Sequence, residues 1–409
     1  MGEPGPGAAS PEAPLRAVFV ATFFIRFAFG ITVAVFASYI AGRSAGLSGG
    51  DVGTAGWVSA LAPIGEFTTV LFSGAAADRW GRFPVLFAGM GGAAVVLAVV
   101  ASGRQLLTLG VANLTFGIAS GAILAASLAV VAEHSGAGER GYEMGRFDAM
   151  NLFGWVSGFA FGLGLEDLMP NAQLGSVFLA GAAALLVGLL TAGLLSRGER
   201  RPHRPTAFSF RRVVRSAFRS TVLVVTLPWL VIYALVGTAL VFLGPSASAL
   251  GIRTSYLALA VGGGGALLVV SQPLFGRMAD RLGRTRMMTA GAVGFILTML
   301  FASLLAAFGF HWVLVAGIGA SILLALAYGP AALAALADLT VELSRATTMA
   351  IYSLTISLGM FVGLIASTGL VARFGTPGLY LYFGSIAGIL GLLTALRWRE
   401  VARATIPVR

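Results

Sequence analysis

The stretch Gly74-Ala75-Ala76-Ala77-Asp78-Arg79-Trp80-Gly81-Arg82 returns later in the chain as Gly276-Arg277-Met278-Ala279-Asp280-Arg281-Leu282-Gly283-Arg284. Every matched position, Gly, Asp, Arg, Gly and Arg, is displaced by 202 residues. A second set follows: Glu133, Arg140, Met144, Gly154 and Gly158 match Asp338, Arg345, Met349, Gly359 and Gly363 at an offset of 205. Two motifs repeated in one order at nearly one spacing mark an internal duplication. Each copy lies between long apolar runs, so the chain reads as two homologous halves.

The runs themselves define the solvent. Of 409 residues, 57% are hydrophobic and 11% charged, with a mean hydropathy of +0.91. A soluble domain carries roughly 25% charged residues, so the composition is that of a membrane protein. A helix needs about 20 apolar residues to cross ~30 Å of hydrocarbon. Twelve segments qualify, at 17–41, 52–77, 83–102, 105–132, 144–165, 173–195, 221–249, 254–276, 286–308, 312–336, 347–372 and 377–396. The expected fold is an all-α polytopic membrane protein: twelve transmembrane helices in two pseudo-symmetric six-helix bundles around a central cavity. Residues 1–15 read as a disordered tail, 16–196 as the first bundle, 197–220 as a basic cytoplasmic linker, 221–398 as the second bundle and 399–409 as a cytoplasmic tail. Pro63, Pro228, Pro245, Pro273 and Pro330 fall inside spans and are expected to kink or break them.

Charge sets the orientation. All 27 basic residues are arginine, and a cytoplasmic N-terminus puts 22 of them at the inner face, leaving Arg43, Arg104, Arg253 and Arg373 outside and Arg26 within a span. That asymmetry places both termini in the cytoplasm of a multi-pass protein of the cell membrane. The net charge of +11 is then a topology signal and a contact for anionic membrane lipids, not a nucleic-acid surface. Missing residue types exclude chemistry as well. Without cysteine there are no thiolate metal sites, and without lysine there is neither a P-loop nor a Schiff base. Only His134, His203 and His311 exist, far apart in sequence. No catalytic constellation, metal site or cofactor is expected. His311 is expected to cap the outer end of the tenth span and His134 to join the cytoplasmic charges.

The repeated loop resembles the major facilitator superfamily, whose secondary transporters carry G-x-x-x-D-R-x-G-R between their second and third spans. Span number, both motif copies and the basic linker extend the resemblance over nearly the whole chain. The resemblance implies alternating access to a central cavity. It also implies that Asp78, Arg79, Arg82, Glu133 and Arg140, with Asp280, Arg281, Arg284, Asp338 and Arg345, form a cytoplasmic gate, a breakable ionic latch between the bundles. A fixed topology anchor is the alternative. Among subgroups the chain looks like the twelve-span drug:proton antiporters, with two departures. Phe159 follows Gly158 where those proteins have proline, and Asn113 stands where their fourth helix has an arginine.

Charges inside the spans mark candidate chemistry. Arg26 lies ~15 Å into the first span and Glu66 ~16 Å into the second, at 1.5 Å per residue. An unpaired ion at such depth costs ~3 kcal/mol or more, so the two are expected to face one polar cavity and each other. Asp148, ~12 Å into the fifth span, joins them as a proton-coupling candidate, although its depth also suits a solvated loop-end carboxylate. Apolar burial favours a protonated Glu66 and pairing with Arg26 favours its carboxylate, so separating the pair drives proton uptake. Asn113, Asn151, Tyr233, Gln272, Tyr328 and Tyr352 are the polar candidates for the substrate cavity. The second half has no charge in the middles of its spans, which predicts one charged wall facing an apolar, aromatic one.

Three functions fit. The first is proton-coupled export of amphipathic or lipophilic small molecules by a monomer; the second is proton-coupled uptake of an organic anion or lysolipid-like amphiphile, with Arg26 as clamp. The third is a sensor or scaffold that keeps the fold without transport.

Overall fold

In hydrocarbon every backbone amide must find its partner within the chain, and an uncharged Leu/Ala/Val/Gly segment does so as a helix. A computed structural model shows how these segments pack; it describes residues 12–44, 52–103, 105–134, 140–169, 173–196, 215, 218–249, 253–308, 311–339, 345–374 and 382–393. The first half comprises α1 (Ala13–Ser44), α2 (Val52–Ser59), α3 (Leu61–Trp80), α4 (Arg82–Ser102), α5 (Leu106–His134), α6 (Arg140–Leu168) and α7 (Gly175–Leu195). The second comprises α8 (Ser220–Ala249), α9 (Thr254–Leu282), α10 (Arg284–Phe308), α11 (Trp312–Ala325), α12 (Tyr328–Leu339), α13 (Arg345–Phe374) and α14 (Tyr382–Leu393). Since α2 and α3 run end to end, as do α11 and α12, these make twelve passages. Eight of the described helices are long and apolar enough to cross a membrane on length and composition alone. Helix α1 starts at Ala13, inside the expected tail, because Glu12 both accepts the Arg16 amide and pairs with the Arg16 side chain. The linker 197–220 lies outside the described residues except at its last few positions, and so do 1–11 and 399–409.

Both copies of the loop motif fold alike. Gly81 and Gly283 adopt φ of 97° and 95°, a region that L side chains avoid, and their amides close the preceding helix on Ala77 and Ala279. The motif glycine therefore reverses the chain within one residue, so that α4 and α10 begin at once with Arg82 and Arg284.

The second repeat sets helix crossings. A Cβ on Gly154 or Gly158 of α6 would strike the carbonyls of Phe23 and Phe27 of α1. On Gly359 or Gly363 of α13 it would strike those of Leu230 and Ala234 of α8. Close approach through small residues is how helices gain packing energy where lipid removes the hydrophobic drive. The contacted residues, Phe23 and Leu230, Phe27 and Ala234, are 207 positions apart. Position 26 in α1 is therefore equivalent to position 233 in α8.

Two apolar cores result. One gathers α1 to α7, and Met360 and Leu364 of α13 pack into it; the other gathers α8, α9, α10, α12, α13 and α14 and takes in Val70 of α3. The halves meet where α3 packs on α13 and α6 on α9. Outside the cores large apolar side chains stay uncovered, among them Leu107, Leu190, Leu259 and Val270, a surface suited to lipid.

Proline breaks only some helices. The chain bends at Ala60, just before Pro63, and at Leu326–Ala327, just before Pro330. Both prolines thus sit in the first turn of a new segment, where a missing N–H costs least. Helices α8 and α9 run on through Pro228, Pro245 and Pro273 without a break.

Candidate substrate cavity

Between the halves lies a partly open cavity lined by α1, α3, α5, α6, α8 and α13. Its first wall is charged. Arg26 sends Nη1 and Nη2 to the two carboxylate oxygens of Glu66 at 3.3 and 3.2 Å, and its Nε donates to Asn151 Oδ1 at 2.6 Å. Such a two-pronged geometry uses the planar guanidinium fully. Ser120 of α5 gives Glu66 a further hydrogen bond at 3.0 Å, and Phe29 stacks 5.5 Å from the Arg26 guanidinium. Glu66 is only 4% exposed, so these partners take the place of water. Local sequence makes this possible: Gly117 and Gly121 of α5 lie against the backbone of Ala62 and Glu66, which draws α3 close enough for Ser120 to reach.

The second wall is aromatic and neutral. Tyr233, Tyr352, Ile356 and Met360 face the charged side, and Trp229 braces Tyr352 with ring centroids 5.0 Å apart. One bond joins the walls: the Tyr352 hydroxyl donates to Asp148 Oδ1 at 3.0 Å. Asp148 is thus engaged by the opposite half and not a solvated loop-end carboxylate. It also feels the charge of Arg26.

Other expected cavity residues serve the fold. Asn113 is 3% exposed and donates its amide to the carbonyls of Val58 and Ser59 at 2.9 and 3.3 Å. Pro63 has no N–H with which to satisfy Ser59, so Asn113 supplies the missing donor at the bend. It lines a smaller neighbouring cavity with Phe29 and Phe36. Tyr328 is buried, packs on Gly291 and points its hydroxyl at Val225 O, 3.5 Å away. Gln272 lies in α9 and is not among the residues lining either cavity.

At the edge that carries the loop motifs the described ion pairs stay within their own halves. Arg82 meets Glu133 at 2.6 Å, and Arg284 lies 3.8 Å from Asp280 while donating to Ala334 O at 3.2 Å. Arg79 and Arg281 are exposed. The side chains of Asp78, Arg140, Asp338 and Arg345 lie outside the described residues. His311 occupies the cap position of α11 but makes no side-chain cap bond, contrary to the cap expected of it; His134 Nδ1 lies 3.0 Å from Val130 O, and His203 is outside the described residues.

A family model described as Major Facilitator Superfamily matches residues 18–265 and 235–407. The chain belongs to the major facilitator superfamily. Among solved structures, that of the human organic anion transporter MFSD10 (TETRAN) aligns over 95% of this chain and 99% of its own, with a TM-score of 0.63 and 15% identity. At that identity the likeness speaks for the fold. In this major facilitator superfamily protein, sequence reasoning passed over Ser120, Trp155, Ser353 and Ser357, which sit at the cavity or on Glu66. Their spacing offered a clue, since Ser353 and Ser357 lie four residues apart on one helical face, and the Gly117/Gly121 pair brackets Ser120.

Proposed function

We propose that this protein is a secondary transporter that exports amphipathic or lipophilic small molecules from the cell in exchange for protons, by alternating access, as a monomer in the cell membrane with both termini cytoplasmic. The observation that carries this reading is the Arg26–Glu66 pair on one wall of a cavity whose other wall is aromatic. An amphipathic molecule finds both surfaces it needs there, an apolar and aromatic lining with a few convergent polar groups. Proton coupling follows from the pair. Protonating Glu66 removes the charge that holds Arg26, whose remaining partners are Asn151 and the field of Asp148. Because Asp148 holds Tyr352 of the other half, a shift of Arg26 toward it weakens the one described bond across the cavity. The protonation state of Glu66 thereby biases how the halves meet. Membrane lipids cover the outer apolar surface and no cofactor takes part.

Transport by Glu66→Gln protein in proteoliposomes, with a pH gradient and a pH-sensitive dye inside, tests this reading. The expected result is loss of proton-driven accumulation with substrate binding retained. Unchanged proton dependence would remove Glu66 from the coupling.

Uptake of an organic anion is the second reading. It is favoured by Arg26 being the cation on the cavity wall, and the aligned human protein is described as an organic anion transporter. An anionic group would then take the place of a protonated Glu66 on Arg26. The sign of substrate-dependent proton flux separates the two, and reproducible absence of flux with every class of compound favours a sensor or scaffold.

A further inference from the structure

Hydroxyls in transmembrane helices ordinarily fold back on their own helix. In α13, Thr355 donates to Ile351 O at 2.8 Å and Ser367 to Leu364 O at 3.2 Å. Ser353 and Ser357 do not. Each is 1% exposed, each Oγ lacks a partner among the described residues, and both residues line the cavity. Thr22, Ser127 and Thr368 also carry buried hydroxyls without a protein partner, but none of them lines this cavity.

A buried hydroxyl without a partner is costly, because it has given up water without a replacement. Two of them, one helical turn apart on the same face, make a ladder with unused hydrogen-bonding capacity. The charge nearby tells which group suits it. Arg26 is already matched by Glu66, and Asp148 stands within the electrostatic reach of that arginine. An added anion would meet carboxylates without a free cation, and an ammonium at the serines would find hydroxyls and aromatic faces but no charge to balance it, while Asp148, which has no described ion pair, already accepts from the Tyr352 hydroxyl. An uncharged polar group needs only the hydrogen bonds. Trp155, Ile356 and Met360 beside the serines offer apolar contact to the carbon skeleton that follows.

Resting on the reading of this cavity as the substrate site, we propose that Ser353 and Ser357 form a head-group subsite that selects amphiphiles carrying a neutral hydrogen-bonding group, an amide or alcohol, over their carboxylate, ammonium and purely hydrocarbon analogues. The serines set specificity; Glu66 and Arg26 handle the proton.

The experiment uses the full chain in lipid nanodiscs and five probes that differ in one terminal group: 4-phenylbutanamide, 4-phenylbutanol, 4-phenylbutyrate, 4-phenylbutylamine and butylbenzene. Binding is read by calorimetry at fixed pH. The wild-type chain is expected to bind the amide and alcohol about tenfold more tightly than butylbenzene, and Ser353→Ala/Ser357→Ala to erase that preference while leaving butylbenzene affinity unchanged. Ser353→Thr, which keeps the hydroxyl, is expected to retain the preference and so guards against a general packing defect. If the wild-type chain prefers the carboxylate or the amine, the subsite is refuted and the cavity reading stands. If none of the five binds, subsite and cavity reading fail together. Equal losses for amide and hydrocarbon in the double alanine protein refute the role of the hydroxyls.

Discussion

Arg26 of α1 and Tyr233 of α8 occupy equivalent places in the two halves, and both face the same cavity. The same holds, at the 205-residue offset, for Asn151 with Ile356, Leu152 with Ser357, and Trp155 with Met360, all on the cavity wall. Helix crossings are repeated: Gly154 and Gly158 do for α1 and α6 what Gly359 and Gly363 do for α8 and α13. Duplication has kept the backbone contacts and let the cavity-facing side chains diverge. The constraint explains the difference. A carbonyl pressed against a glycine tolerates no side chain, whereas a residue facing open space is free to change in one half alone.

That contrast can be broken most forcefully at Arg26. Arg26→Met leaves Glu66 without its cation and is expected to destabilise the protein by about 3 kcal/mol or more, read as thermal unfolding in detergent. Adding Glu66→Met should return most of that stability but not proton-driven transport. Tyr233→Phe, at the equivalent place, should cost far less, and a comparable loss there would mean that the two walls share the work. The crossings should respond symmetrically. Gly158→Ala and Gly363→Ala each force helices apart and are expected to cost about 1–3 kcal/mol, with similar losses of folded yield; a wide gap between them would deny that the halves pack alike. Tyr352→Phe removes the bond across the cavity and should cost about 1 kcal/mol. Its readout is the rate of substrate exchange, which should rise or fall several-fold while stability barely moves. The smallest effect belongs to the loop motif. Arg82 is 8% exposed and held at 2.6 Å by Glu133, whereas Asp280 is 69% exposed and 3.8 Å from Arg284. Asp280→Asn should change stability by no more than about 0.5 kcal/mol, and Arg82→Gln by visibly more.

The fold was legible because its determinants are periodic or repeated: apolar runs of bilayer length, the doubled loop motif and the doubled glycines. The charged wall was legible for another reason, since ions deep in a span demand partners and only Arg26 and Glu66 lay at matching depth. The neutral residues were harder to read. Asn113 and Tyr328 carry the same polar groups as cavity residues, yet they satisfy backbone carbonyls at Ser59 and Val225; which way such a side chain turns depends on bends and crossings formed by other segments. Asp148 illustrates the same limit. Its partner Tyr352 lies 204 residues away in the other half, and no local pattern joins them.

The bend at Ala60 has a mechanical meaning. Residues 52–59 could have formed a flap, hinged where Pro63 interrupts the hydrogen bonds of its own helix. Instead Asn113 of α5 ties the carbonyls on the α2 side of the bend, so α2 is strutted by a neighbour in its own half. Gly56 of α2 presses against Thr368 of α13. Any parting of that contact must therefore carry α2, α3 and α5 as one lever arm, and the joint that moves lies between the halves, not within the helix.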